Sequence, residues 1–155
     1  MKKQKRLTLI LAGTWTFLLL LSMIFFFFGG NEKETRVLFF PRYRTADCVG
    51  EERVLPRKKT PELEIELLLK EILLGPFDVN SVPVVPRDVQ LRTVLLRDNR
   101  LFVDFSEDIV FRDVNSTLSF EEALECINRS IQFNFPVVEK IVYTVNGTPP
   151  KLTEK

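Results

Sequence analysis

The stretch TPELEIELLLKEILLGP, residues 60–76, carries both ends of one helix in its own letters. Thr60 is a good N-cap, because its hydroxyl can accept from an amide of the first turn. Pro61 suits the first helical position, and Glu62 and Glu64 lie at the positive end of the helix dipole. Gly75 suits a left-handed position past the last turn, and Pro76 forbids continuation. The helix is therefore predicted to end near Leu74. Ile65, Leu68, Leu69 and Ile72 share one face at helical spacing, and that face should cover a sheet. Leu63, Leu67 and Leu74 form a second stripe on roughly the opposite side, beside Lys70. The stripe is either a second buried side, covered by loops, or a protein-contact surface.

Strands are expected on both sides of this helix. Upstream, residues 37–40 read as a strand ended by Pro41, and residues 51–55 as another stopped by Pro56, forming an antiparallel pair. Downstream, residues 77–86 form a loop. Residues 89–97 then alternate as a long strand, Asp98-Asn99 turns the chain, and residues 101–105 return with Leu101, Val103 and Phe105 on one side. Residues 106–119 are polar, with Ile109, Val110 and Phe111 expected to tuck inward. Ser119 and Glu122 have the spacing of a capping box. The helix they open should bury Phe120, Ala123, Leu124, Ile127 and Ile131, with Cys126 at the edge of that face. Phe135-Pro136 ends it, and residues 138–145 form a last strand. The order strand, strand, helix, strand, strand, helix, strand predicts an α+β fold, with two helices on one small mixed β-sheet.

Residues 7–28, LTLILAGTWTFLLLLSMIFFFF, contain no charge. As a helix at ~1.5 Å per residue they would span about 33 Å, enough for a bilayer core. Lys2, Lys3, Lys5 and Arg6 flank the run on its N-terminal side. The reading is a transmembrane helix with its N-terminus in the cytoplasm and the rest of the chain outside. Its few hydroxyls (Thr8, Thr14, Thr16, Ser22) can bond back to helix carbonyls. A cleaved signal peptide has a shorter apolar core, about 7–15 residues, and a small-residue cleavage site. The expectation is thus an uncleaved signal anchor: 1–6 a basic cytoplasmic tip, 7–28 the membrane helix, 29–36 a linker, 37–150 one extracytoplasmic domain and 151–155 a tail.

The composition narrows the chemistry. Lys and Arg number 22 against 21 Asp and Glu, for a formal net charge of +1, so no basic face for nucleic acid is implied. Histidine is absent, which removes the commonest general base and the commonest zinc ligand. No metal spacing or phosphate loop occurs, and no cofactor is expected. Cys48 and Cys126 are the two cysteines; outside the cytoplasm they could pair, and two separate thiols are the other reading.

Several short signatures occur together in order: Phe39-Phe40-Pro41, Glu52-Arg53-Val54, Leu73-Leu74-Gly75-Pro76, Val82-Pro83, Val103-Asp104-Phe105-Ser106, Phe135-Pro136-Val137 and Tyr143-Thr144-Val145-Asn146-Gly147. As an ordered set they resemble the GerMN domain family, the module of GerM-like sporulation and germination proteins. The resemblance covers about residues 37–148 and one copy of the module. It implies a ring-building-motif-like fold behind a membrane anchor or lipoprotein signal. It also implies scaffolding or partner binding in the bacterial envelope rather than catalysis.

The signature residues also have physical roles that need no family. Asp104 alternates with inward-facing Val103 and Phe105, so its carboxylate should face solvent or cap the following turn. Ser106 can bond a nearby backbone amide, and Asn146-Gly147 suits a turn of positive φ. An enzyme would have to be built on Asp104 with Ser106, or on Glu121 and Glu122. Without histidine, a nucleophilic serine would need a lysine or carboxylate base, and no glycosidase-like carboxylate pair stands out. The sequence reading is a non-catalytic, membrane-anchored scaffold with protein partners in the envelope, a second copy of the chain among the candidates. A cell-wall- or ligand-binding sensor is the alternative, with a cell-wall hydrolase behind it.

Overall fold

The computed structural model describes residues 2–28, 32–43, 45, 47–109 and 119–150. It divides into two compact units, residues 1–32 and residues 33–155. The first is the helix α1, Lys2–Phe28. Side chains are described at residue 4 and at residues 11–24 of α1; across 11–24 all are exposed. Thr14 and Thr16 donate to the carbonyls of Leu11 and Ala12, both at 2.8 Å. Among the described residues, no helix is long and apolar enough to cross a membrane, and much of the run over 7–28 lies outside those whose side chains are described.

The second unit follows the predicted order: β1 (Lys33–Pro41), β2 (Cys48–Pro56), α2 (Pro61–Leu74), β3 (Leu91–Arg97), β4 (Arg100–Phe105), α3 (Phe120–Asn134) and β5 (Lys140–Val145). It is a mixed α+β fold, but its strands form two small sheets where one was expected. β1 and β2 make a separate antiparallel pair, whereas β3, β4 and β5 form a three-stranded sheet with β4 in the centre. β3 and β4 are antiparallel, and β5 runs parallel to β4. The separation follows from the outer edge of β1, which is closed by side chains of α3. Asn134 accepts from the Val37 amide at 3.0 Å and donates to the Val37 carbonyl at 2.6 Å. Ser130 accepts from the Phe39 amide at 2.8 Å. The linker predicted over 29–36 is also shorter, because residues 33–36 pair with residues 53–56 and belong to β1.

Both sheets and both helices of this unit share one core. Leu38 and Phe40 meet Ile65, Leu68, Leu69 and Ile72 of α2, Leu101, Val103 and Phe105 of β4, and Ala123, Leu124, Ile127 and Ile131 of α3. These include the predicted inward residues of α2 and β4 and, Phe120 apart, those of α3. Cys126, expected at the edge of its face, is fully buried. Ile109 is buried as predicted, whereas Val110, Phe111 and the side chain of Phe120 lie outside the described residues. In β3 the facing shifts partway along. A bulge between Leu91 and Thr93 puts Leu91, Val94 and Leu96 against the core, where strict alternation would have chosen Thr93 and Leu95.

The caps account for where the helices begin and end. The Thr60 hydroxyl accepts from the Leu63 amide, and Ser119 with Glu122 forms both bonds of a capping box. Gly75 has φ 90 and ψ 175; its φ is positive, but ψ puts it outside the left-handed helical region, in a conformation that essentially only glycine adopts. Asp98 and Asn99 both have positive φ, as a two-residue type I′ hairpin turn requires.

Candidate functional site

A buried arginine organises the end of α2 and the loop beyond it. Arg53 points inward from β2 while its neighbour Val54 is exposed, the reverse of what hydrophobicity would choose. Its guanidinium donates to the Gly75 carbonyl at 2.6 Å, to the Glu71 carbonyl and carboxylate each at 3.1 Å, and to Glu51 at 2.7 and 2.9 Å. The Glu51 carboxylate also accepts from the amides of Phe77 and Asp78, at 2.9 and 3.1 Å. Burial alone would raise the Glu51 pKa; the bonds from Arg53, Asp78 and Phe77 outweigh it and hold the group below its ordinary value. Strand β2 thereby grips the helix end and the next three residues together.

The loop is fastened on its other side as well. The Val82 amide bonds the Pro41 carbonyl at 2.9 Å, and the Tyr43 amide bonds the Asn80 carbonyl at 2.8 Å. Against this pinned backbone, three large apolar side chains stand in the open: Leu74 is 78 % exposed, Phe77 77 % and Val79 93 %. The Phe77 ring lies 3.9 Å from the Arg53 guanidinium, which holds it by a cation–π contact. These residues border an open groove of about 500 Å³, lined also by Leu73, Gly75, Pro76, Pro83 and Arg87. A cluster of exposed apolar side chains on a fixed backbone is what a docking surface needs, since little ordering cost remains to be met on binding.

Of the stripe read from the sequence, Leu74 belongs to this patch. Leu63 is 44 % exposed at the opposite end of α2. Leu67 is half-buried, beside a small recess lined by Leu55, Pro56 and Arg57. The structure thus separates Leu63 and Leu67 from Leu74, and joins Leu74 to Phe77 and Val79. Gly75 and Pro76 form the turn between them. The sequence places Phe77 and Val79 only in a loop; two apolar residues within three positions of Gly75-Pro76 are the signal available.

Asp104, Ser106, Asn146 and Gly147 cluster at the far end of the three-stranded sheet. Asp104 accepts from the Thr144 hydroxyl at 2.6 Å and the Gly147 amide at 2.8 Å, and lies 3.6 Å from Arg92. It clamps the turn after β5, not the one after its own strand. The Thr144 bond lowers its pKa; burial opposes this, and the Gly147 amide and Arg92 add to the lowering. The Ser106 hydroxyl accepts from the Gln90 amide at 3.0 Å and donates to Asp108 at 2.8 Å. Asn146 accepts from Arg92. Each group is committed to holding a turn or strand end. Glu122, half of the other carboxylate pair, is taken up by the Ser119 cap. Among the described residues, no group of three or more His, Cys, Asp or Glu is placed to hold a metal ion.

These features define a small α+β module with a pinned apolar patch. Residues 30–151 match the family described as Germane, sporulation and spore germination. The chain belongs to that family. Its fold is similar to the first GerMN domain of the sporulation protein GerM from Bacillus subtilis, at a TM-score of 0.50 and 20 % identity, over 76 % of this chain and 86 % of that one. It is also similar to the tandem GerMN domains of the same protein, at a TM-score of 0.53 and 17 % identity, over 79 % of this chain and 43 % of the tandem chain. No curated protein matches it.

Proposed function

We propose that this protein is a non-catalytic binding module of the bacterial cell envelope, held at the outer face of the cytoplasmic membrane by residues 7–28, and that it docks a protein partner through Leu74, Phe77 and Val79. The observation that carries the reading is the exposure of these three side chains on a backbone fixed by Arg53 and Glu51. The uncovered apolar side chains of residues 11–24 support the anchor. The Cys48–Cys126 disulfide supports a location outside the reducing cytosol. Anchoring converts a three-dimensional search into a two-dimensional one, so a modest patch suffices for assembly.

The test is photocrosslinking in cells of the full chain carrying a photoreactive residue at position 77, compared with the same residue at exposed Lys70. One discrete protein adduct at position 77, abolished by Leu74→Glu, is expected. Equal labelling from both positions, or labelling that persists with Leu74→Glu, would remove the patch from the interface. An adduct with this chain itself would identify the partner as a second copy.

A further inference from the structure

Cys48 and Cys126 are joined across 78 residues of sequence, with Cα atoms 5.6 Å apart, and the two sulfurs have unequal surroundings. Cys126 is 0 % exposed, on the α3 face that enters the core. Cys48 opens β2, is only partly buried, and packs at the rim of the core cluster. Arg129, three residues beyond Cys126, donates from Nη1 to the Cys48 carbonyl at 3.1 Å. The same guanidinium is held 4.5 Å from the Phe39 ring centroid. A fixed positive charge therefore stands at the backbone carbonyl of Cys48, within the same residue as its sulfur. Partial exposure and nearby positive charge favour a reactive thiolate, whereas apolar burial disfavours one.

We propose that Cys48 is the sulfur through which this chain exchanges with a disulfide-bearing oxidant, and that Cys126 is the resolving sulfur. The Cys48 thiolate attacks one sulfur of the oxidant's disulfide. That S–S bond breaks, one oxidant thiolate leaves, and Cys48 carries a mixed disulfide. The Cys126 thiolate then attacks the Cys48 sulfur, forms the Cys48–Cys126 bond and expels the second oxidant thiolate. The chain loses two protons and two electrons, and the oxidant gains both as a pair of thiols. Cys126 never has to meet the oxidant, which its burial forbids in the folded chain. Reduction runs in reverse: the incoming thiolate attacks Cys48, and Cys126 must leave as a thiolate inside the core. That poor leaving group slows reduction of the bond.

The experiment uses the full chain in detergent. Oxidised wild-type protein is exposed to glutathione, quenched in acid, and its peptides are weighed. The glutathione adduct is expected on Cys48 at least ~10-fold more often than on Cys126. An equal or larger share on Cys126 would overturn the assignment, and this measurement needs no substitution. In a second arm, Cys126→Ala and Cys48→Ala are each treated with oxidised glutathione and, separately, with a protein disulfide of the Cys-x-x-Cys type. The cysteine left in Cys126→Ala is expected to react ~100-fold faster under native conditions, a ratio that collapses toward unity when the chain is unfolded. The faster oxidant names the source of the disulfide. A native ratio near unity with both oxidants would refute the proposal.

Discussion

Replacing Arg53 by Met would keep most of the side chain's volume and remove all five of its hydrogen bonds. The Gly75 carbonyl bond is the buried one, and an unsatisfied buried acceptor costs about 1–3 kcal/mol. The carboxylates suffer less: the side chains of Glu51 and Glu71 are 18 % and 23 % exposed, so water can reach them. Glu51 also keeps its bonds from Phe77 and Asp78. Removing one partner of a fully buried ion pair costs about 3–5 kcal/mol, and this partial exposure puts Arg53→Met at the lower end, about 3 kcal/mol. For a domain of this size that is a fall in Tm of roughly 10 °C. Thermal unfolding of the full chain by circular dichroism would measure it. The control is Val54→Met on the exposed side of the same strand, expected within about 0.5 kcal/mol of wild type. An Arg53→Met protein melting as the control does would show that the cluster does not hold the loop. The pH dependence is a second check. A carboxyl whose folded pKa is depressed contributes stability that is present above its unfolded pKa and is lost as pH falls through the folded one. The wild type should therefore lose stability on acidification through the range below the ordinary Glu pKa, and Arg53→Met should lose less.

Gly75→Ala should cost about 1–3 kcal/mol through backbone strain alone, because the added Cβ would meet only the Pro83 ring, at an ordinary 3.7 Å; an unchanged denaturation midpoint would refute the conformational argument. Asp104→Asn should lower stability at neutral pH by about 1 kcal/mol, and since the Asp104 pKa is depressed, the difference from wild type should close as pH falls through it. A gap that stays constant in acid denaturation curves would place the effect elsewhere. Ser130→Ala strands the Phe39 amide and should cost about 1–3 kcal/mol in chemical denaturation, whereas a change under about 0.5 kcal/mol would mean that water replaces the hydroxyl.

The parts of the fold legible in the sequence are those whose cause is local. Thr60, Pro61, Gly75 and Pro76 bound α2 because capping and ring geometry act over a few residues. Ser119 with Glu122 places the start of α3 for the same reason, and Asp98-Asn99 marks its hairpin. Features decided by distant partners were not legible. Nothing near residue 140 says that β5 will lie parallel to β4, or that β1 and β2 will stand apart from the other strands. The bulge near Arg92 reversed the facing of β3 because its pairing with β4 slips there. Arg53 is the sharpest case at the candidate site. Its burial depends on carbonyls and carboxylates gathered from residues 51, 71 and 75, so alternation within β2 could not reveal it. The exposure of Phe77 and Val79 is not legible in the sequence because a loop's exposure is set by what lies beneath it. The pairing of Cys48 with Cys126 likewise required the docking of α3 on the β1–β2 pair.

The way α3 borders β1 has a consequence for assembly. Asn134 exchanges two hydrogen bonds with Val37, as a residue of a neighbouring strand would, and Ser130 takes the next free amide along. An unprotected strand border is a template on which another chain can extend. Here two side chains occupy the positions where such growth would begin, and the backbone of their own helix cannot continue the ladder. At Val37 and Phe39 this border acts as a chain terminator: side chains take the strand's outward hydrogen bonds there while offering no further strand to copy. A neighbour adding a strand along β1 would meet occupied positions at Val37 and Phe39, and a variant such as Asn134→Ala would free the Val37 pair for such growth.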